Sequence, residues 1–281
     1  MIASPRAPHE DLYFGVEGAR LRYRDVGSGC AVLLIHGWTL DLDQWEPQVE
    51  ALAASFRVIR LDRRGFGLSS GRPSLAADVA DLSALCRHLG LKQVAAVGMS
   101  QGARVAARLA AIAPELLSCI VLDGPPAGVD GAAAAGNGDV PVAEFRNLVR
   151  DRGMAAFRDA WARHPLGQLR SRDPGPRELL ERMIARYRGE DLQEPTVNAT
   201  ESWDCPALES IRKPTLVITG ALDLESRRNA ADLIARKLPL AERAVVPDAG
   251  HLANLDNPQA YNTLLLRFLQ QHAGARPPLP R

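Results

Sequence analysis

The stretch that decides the fold is Val94-Ala-Ala-Val-Gly-Met-Ser100-Gln-Gly-Ala-Arg-Val105. It opens with an unbroken apolar run, which is what a strand buried on both faces of a parallel sheet requires. Apolar residues then recur at helical spacing, at Val105, Leu109 and Ile112. The stretch therefore predicts a strand, a sharp turn that carries Ser100, and a helix.

The turn itself reads Gly98-Met-Ser100-Gln-Gly102. A bend this tight brings neighbouring backbone close to both glycines, where a Cβ would collide with it. The bend presents the Ser100 hydroxyl at the end of the strand and places a helix N-terminus, with its partial positive charge, beneath any oxyanion that forms. In a chain with 23 glycines the pattern alone is modest evidence. The strand before it and the helix after it are the context that a nucleophilic serine needs.

Outward from this turn, strand-like segments alternate with helical stripes. The strand-like segments are residues 12–16, 21–26, 31–35, 57–61, 119–122, 216–219 and 244–246. The first two flank a Gly18 turn and predict a β-hairpin. Helical stripes lie at residues 75–89, 230–238 and 261–268. The alternation predicts an α/β fold with a parallel sheet and right-handed crossovers.

One segment interrupts the alternation. Between Asp123 and Arg212 the sequence shows helical patterns but no good strand. We therefore predict a helical insertion rather than a separate folding unit. In this division residues 1–124 form the first part of the core, residues 125–212 form the helical cap insertion, and residues 213–281 form the second part of the core.

Charge and cysteine content exclude several functional classes. The 34 basic and 33 acidic side chains leave a net charge of +1, which favours neither nucleic acid nor an anionic membrane as a partner. No apolar run approaches the ~18 residues that span a bilayer, and the N-terminus lacks a signal-peptide core, so we expect a cytoplasmic protein.

Four cysteines without a C-x-x-C pair predict neither a disulfide scaffold nor structural zinc. Cys86 and Cys119 lie in apolar segments and are interpreted as buried hydrophobic residues.

A serine hydroxyl needs a base, and His251 is the best candidate. It lies in Pro247-Asp-Ala-Gly-His251-Leu, after the last predicted strand and before the last helix. The other histidines lie near the chain ends, on an amphipathic helix, in the insertion, and in the loop after residue 35; they are His9, His272, His88, His164 and His36. Only His251 and His36 directly follow a predicted strand, and His36 is interpreted below as structural, so we select His251 as the base.

The acid that orients the base is predicted to be Asp223, in Gly220-Ala-Leu-Asp223. It follows the strand at residues 216–219. Asp123 also follows a predicted strand and stays open as the alternative. With Asp223, the chain order of nucleophile, acid and base is Ser, Asp, His, one of the orders in which serine nucleophiles are found with their acid and base.

Two backbone N–H groups are expected to form an oxyanion hole. One belongs to Gln101, directly after the nucleophile, and the other to Trp38, in the loop His36-Gly-Trp38-Thr. His36 is interpreted as a structural hydrogen-bonding residue. Arg63 and Arg64, in a turn-rich segment after residue 61, are interpreted as structural, with contact to an anionic substrate as the alternative.

The loops at the sheet end and the insertion should enclose the substrate. Candidate wall residues are apolar, and at helical spacing each has ordinary core packing as its alternative; they are Trp38, Met99, Phe145, Phe157, Trp161 and Trp203. These residues favour a small or medium apolar ester or a lactone as the substrate. An anionic substrate bound by an arginine of the insertion stays open, and so does the choice between a monomer and a homodimer.

Taken together, these motifs resemble the α/β-hydrolase superfamily. The matching motifs come in the family's order and span nearly the whole chain; they are His36-Gly37, Asp62-x-x-Gly65-x-Gly67-x-Ser69, Gly98-x-Ser100-x-Gly102, Gly220-x-x-Asp223 and Gly250-His251. The resemblance implies a mostly parallel eight-stranded sheet flanked by helices, a helical cap after the sixth strand, and a Ser100–Asp223–His251 triad. No metal or organic cofactor is expected.

Within that superfamily the chain looks closest to the small esterases, enol-lactonases and cofactor-free haloperoxidase-like members. Ser100 stands where haloalkane dehalogenases and epoxide hydrolases have an aspartate, which argues against those activities. The loop at Trp38 lacks the Ser-Gly-Pro-Gly-rich stretch typical of meta-cleavage C–C hydrolases. The sequence thus predicts a serine hydrolase of esters or lactones. C–C hydrolysis, a lyase reaction or perhydrolysis on the same triad, and a non-catalytic binding role, are the alternatives.

Overall fold

A central β-sheet organises the chain, as seen in a computed structural model that describes residues 10–126, 139–193 and 208–274. The described part of the sheet has eight strands: β1 Leu12–Val16, β2 Ala19–Gly27, β3 Ala31–Ile35, β4 Arg57–Leu61, β5 Val94–Met99, β6 Leu117–Asp123, β7 Thr215–Gly220 and β8 Ala241–Val246. All eight predicted strands are present. The bounds of β1, β3 and β4 coincide with the predicted ones, and the other five are longer than predicted.

The strands lie in the order β1-β2-β4-β3-β5-β6-β7-β8. β1 pairs with β2, and β2 with β4, in antiparallel fashion. All pairs from β4 onwards are parallel. The mostly parallel sheet of the predicted α/β fold is therefore confirmed. Because parallel strands end at the same edge, the segments that follow β5, β6, β7 and β8 are neighbours in space.

Helices connect the strands and cover the sheet. Those in the described residues are α1 Glu46–Ala53, α2 Leu75–His88, α3 Gln101–Ile112, α4 Val142–Arg163, α5 Pro174–Arg186, α6 Glu190–Gln193, α7 Glu225–Lys237, α8 Ala253–Asp256 and α9 Pro258–His272. The short helices α1, α6 and α8 were not predicted from the sequence. None of the helices within these residues combines the length and the apolarity needed to cross a bilayer.

The sheet has a buried apolar layer on each face. On one face, Val32 and Leu34 of β3 pack with buried apolar residues of α1, α9 and the insertion. On the other face, Leu33 and Ile35 pack with buried apolar residues of α2, α3 and α7. Successive side chains of a strand point to opposite faces, so a strand covered on both faces must be apolar throughout. This double burial explains the unbroken apolar run in the sequence. Cys86 and Cys119 are buried in these layers, as predicted.

The helices α4, α5 and α6 lie between β6 and β7 and form the described part of the insertion. α4 is interrupted at Gly153, whose φ of +77° is non-helical. Arg186, at the end of α5, pairs with Asp41 and Asp43 of the core. Arg188 donates to the carbonyl groups of Gly67 and Ser69. Two arginines of the insertion therefore bind the core while their side chains stay partly exposed. Cys205 and Trp203 lie outside the described residues.

Candidate active site

Ser100 occupies the turn between β5 and α3. Its φ is +52°, a value that non-glycine residues seldom adopt. A Cβ on Gly98 would collide with the carbonyl oxygen of Gly102, and a Cβ on Gly102 would collide with that of Ile35. Ser100 N–H donates to the Asp123 carbonyl at 2.7 Å. The two glycines thus permit the tight packing that holds Ser100 in a strained backbone conformation at the carboxyl edge of the sheet.

His251 and Asp223 form a buried hydrogen-bonded pair. His251 Nδ1 donates to Asp223 Oδ2 at 3.0 Å, and the two side chains are 4% and 0% exposed. The loop that carries His251 is fixed by Gly250 N–H, which donates to Asp256 Oδ2 at 2.7 Å. Because Asp223 occupies Nδ1, Nε2 is the ring nitrogen left for a further partner. The structure therefore brings together the predicted base and the predicted acid.

Asp123, the alternative acid, lies elsewhere in the site. It is fully buried at the end of β6, against Tyr261. Burial raises the pKa of Asp123 well above its usual range, although the Tyr261 hydroxyl opposes the shift, and the nearby Asp223 raises the pKa further. A carboxyl group whose pKa is raised by burial is a weaker partner for an imidazolium than a carboxylate with an ordinary pKa. Both the hydrogen bond of His251 and the raised pKa of Asp123 thus favour Asp223.

The loop after β3 is fixed by His36 and Arg63. His36 Nδ1 donates to the Gly37 carbonyl at 2.7 Å, and Nε2 accepts from Arg63 N–H at 2.9 Å. Burial lowers the pKa of His36 well below its usual range, and the Arg63 guanidinium acts in the same direction. The Arg63 side chain also donates to Gln101 Oε1 at 2.6 Å and pairs with buried Asp78. His36 and Arg63 hold the two segments that carry the predicted oxyanion donors.

Trp38 is anchored to the insertion. Its indole N–H donates to Asp191 Oδ2 at 2.6 Å, and the Tyr187 hydroxyl donates to the other oxygen of that carboxylate at 2.5 Å. Around the indole pack the rings of the insertion, with centroids 5.0 to 6.3 Å away; they belong to Phe145, Phe157, Trp161 and Tyr187. The insertion therefore helps to fix the loop on which Trp38 lies.

A cavity of about 360 Å³, partly open to solvent, adjoins Ser100 and His251. Its other lining residues are largely apolar: Trp38, Thr39, Leu40, Met99, Val140, Trp161, Leu166, Gly167, Leu180 and Leu252. Three of the predicted wall residues, Trp38, Met99 and Trp161, line it. Phe145 and Phe157 lie in the aromatic layer behind Trp38 and Trp161.

Sequence reasoning missed Arg227. This arginine of α7 is 3% exposed, and its guanidinium donates to Ser100 Oγ at 3.4 Å. On the sequence it is one of two adjacent arginines on an amphipathic helix, which is the usual pattern of a solvated face. The one signal that the sequence offers is proximity, because Arg227 lies four residues after Asp223 and near the start of the helix that follows it.

The described residues contain no group of three or more His, Cys, Asp or Glu side chains that could hold a metal ion. What the arrangement offers is a hydroxyl on a strained turn, an imidazole oriented by a buried carboxylate, and a largely apolar cavity beside both. These are the groups required for nucleophilic attack on a carbonyl carbon.

The family model of the alpha/beta hydrolase fold matches residues 31–258. A Mycobacterium tuberculosis protein, provisionally named a non-heme bromoperoxidase, is 30% identical over 273 residues, which cover 88% of this chain and 97% of the relative.

Among solved structures, a thermophilic esterase from Thermogutta terrifontis is 27% identical with a TM-score of 0.76, covering 93% of this chain and 98% of the esterase. An enzyme that degrades N-acyl homoserine lactones is 25% identical, also with a TM-score of 0.76, covering 92% of this chain and all of that one.

Proposed function

This chain belongs to the alpha/beta hydrolase fold family, and on that premise we propose that it is a serine hydrolase that cleaves a small to medium apolar carboxylic ester or a lactone. Ser100 is the nucleophile, His251 the general base and Asp223 the orienting acid. The observation that carries the proposal is the buried 3.0 Å hydrogen bond between His251 and Asp223 at the edge of the sheet where Ser100 lies.

In the first step His251 Nε2 takes the Ser100 proton while Oγ attacks the carbonyl carbon of the substrate. The negative charge that develops on the carbonyl oxygen is stabilised by the backbone N–H groups of Trp38 and Gln101. Asp223 keeps the imidazole in the required tautomer and stabilises the imidazolium. His251 then protonates the leaving alcohol, and the acyl group stays on Ser100.

In the second step water attacks the acyl-enzyme. His251 Nε2 takes a proton from the water, the carboxylic acid leaves, and Ser100 regains its proton. In a lactone the alcohol and the acid remain in one molecule, so the product is a hydroxy acid.

The cavity supports the choice of substrate. Apolar side chains such as Leu40, Leu166 and Leu180 line it, and they favour an alkyl or aryl acyl group over a charged one. The relatives named as an esterase and as a lactone-degrading enzyme share the fold and more than nine-tenths of this chain's length.

The proposal is tested with a fluorophosphonate probe and a panel of p-nitrophenyl esters and lactones. We expect the probe to label Ser100, and Ser100→Ala to lose labelling and turnover by several orders of magnitude while keeping its thermal unfolding midpoint. Ser210→Ala, at an exposed serine away from the site, is the matched control. Turnover of a vinylogous diketone, with no turnover of any ester or lactone, would refute ester hydrolysis in favour of C–C cleavage.

A second candidate function is perhydrolysis, which the relative named as a non-heme bromoperoxidase favours. Hydrogen peroxide would replace water in attacking the acyl-enzyme, so that a peracid leaves in place of the acid. Adding peroxide to an ester assay, with bromide oxidation as the readout for peracid, separates the two functions. Bromide oxidation that requires both the ester and Ser100 would support this candidate, and its absence would leave hydrolysis alone.

A further inference from the structure

A second charged pair adjoins Ser100. It consists of Arg227, near the start of α7, and Asp139, just before α4 in the insertion. The two side chains are 4% and 7% exposed, and Arg227 Nε donates to Asp139 Oδ2 at 2.5 Å. Nη1 of the same guanidinium donates to the Gly124 carbonyl at 3.1 Å and to Ser100 Oγ at 3.4 Å. A permanently charged donor thus contacts the oxygen that is proposed to react.

The chemistry of the two groups fixes the direction of this hydrogen bond. A guanidinium has no acceptor and keeps its protons at any physiological pH, so Ser100 Oγ must be the acceptor. The hydroxyl has a single proton of its own. With Arg227 on one lone pair, that proton is free to point to another acceptor, and His251 Nε2 is the ring nitrogen that Asp223 leaves available.

We propose that Arg227 is a further catalytic residue: it directs the Ser100 proton towards His251 and stabilises the oxygen as the proton leaves. This role rests on the hydrolase function proposed above. In the step, the proton moves from Oγ to Nε2, an electron pair of Oγ forms the bond to the substrate carbon, and Arg227 keeps all its protons. The 3.4 Å contact is longer than an average hydrogen bond. It can therefore shorten as negative charge builds on Oγ, which is the behaviour that favours the transition state over the resting enzyme.

Asp139 explains how a buried guanidinium is tolerated beside the site. A lone buried charge is costly, whereas one with a carboxylate partner and further hydrogen bonds is not. Burial would raise the pKa of Asp139, but the Arg227 guanidinium, together with a backbone hydrogen bond and one from the Ser226 hydroxyl, lowers the pKa below its usual range, so the carboxylate stays charged. Because the pair is neutral as a whole, it offers little attraction to an anionic substrate. The contact with Ser100 therefore explains the position of Arg227 better than binding of an anionic substrate does.

The test uses three variants: Arg227→Met, Arg227→Lys, and a double variant that carries both Arg227→Met and Asp139→Asn. The double variant leaves no unpaired buried carboxylate. Arg228→Met, the exposed neighbour on the same helix, is the matched control. The readouts are the second-order rate of fluorophosphonate labelling, and kcat and KM for p-nitrophenyl acetate. We expect Arg227→Met to lower labelling and kcat by about 10- to 100-fold, the usual effect of one charged hydrogen bond, with KM within twofold of wild type.

Arg227→Lys should recover part of the rate, because an ammonium still donates, and Arg228→Met should match wild type. If Arg227→Met does not fold, the double variant takes its place. A folded variant without Arg227 that is labelled and turns over within twofold of wild type overturns the role of Arg227. A change confined to KM overturns it as well, because it would indicate substrate binding. Wild-type protein that the probe does not label overturns the hydrolase function itself, so the two failures are distinguishable.

Discussion

Gly124 follows β6 and lies against the imidazole of His251. Replacing Gly124 with alanine therefore tests how strongly the rate depends on the position of that imidazole. A Cβ at this position would lie 2.8 Å from His251 Cε1 and 3.0 Å from Nδ1. Ordinary van der Waals contacts of a Cβ begin at 3.4 Å. The imidazole must therefore retreat by about 0.6 Å, which disturbs both its hydrogen bond to Asp223 and its approach to Ser100.

The size of the effect follows from this displacement. A misplacement of about 1 Å in a catalytic group can cost about 100-fold in rate, so a shift of about 0.6 Å should lower kcat/KM by about 10- to 100-fold. The φ of Gly124 is +51°, and an alanine there costs about 1–2 kcal/mol. Since 1 kcal/mol corresponds to about 2–4 °C in a protein of this size, the unfolding midpoint should fall by about 2–8 °C.

Gly90→Ala is the matched control, because Gly90 has a φ of +66° but no atom within 4 Å of an added Cβ. It should show a similar fall in the unfolding midpoint and no change in kcat/KM. The assay is p-nitrophenyl ester hydrolysis, with calorimetry for stability. If Gly124→Ala keeps kcat/KM within twofold of wild type, or if Gly90→Ala loses as much activity, the steric reasoning is wrong.

The remaining predictions concern the loop after β3. Asp191→Leu should lower kcat by about 10-fold, because the Trp38 indole loses its 2.6 Å hydrogen bond and the backbone N–H of Trp38 shifts by a fraction of an ångström. An unchanged kcat in the folded variant would contradict this reasoning. The pKa of His36 is lower in the folded protein than in the unfolded chain. The contribution of His36 to the free energy of unfolding is therefore complete above pH ~6.5, and below that pH it falls by ~1.4 kcal/mol per pH unit. Urea denaturation between pH 7.5 and 5 should therefore show a steeper loss for wild type than for His36→Gln, and parallel curves would argue against a neutral His36.

The insertion does more than cover the cavity. Its Asp191 holds the indole of Trp38, and its Asp139 pairs with the arginine that contacts Ser100. Both residues lie between β6 and β7, so the same segment reaches the predicted oxyanion loop and the proposed nucleophile. Changes in the insertion are thus expected to affect the rate of the chemical step as well as the choice of substrate.

Much of the fold could be predicted because its signals are local. A strand buried on both faces must be apolar at every position, and an amphipathic helix repeats every three or four residues. The helix α1 escaped prediction because it has only eight residues, of which Val49 and Leu52 are the buried apolar ones, too few to establish a period. The positions of Ser100, Asp223 and His251 also followed from local context, since each lies just after a predicted strand.

Tertiary structure alone decided which of these groups meet. Asp123 and Asp223 both follow strands in the sequence, and only the twist and order of β6, β7 and β8 place Asp223 against His251. Arg227 looks like a solvated arginine until α7 packs its side chain under Ser100. The spacing of apolar residues in a helix or a strand follows from backbone geometry, so it can be detected within one short segment. Contacts across the site depend instead on how segments more than a hundred residues apart close around one edge of the sheet, and no single segment contains that information.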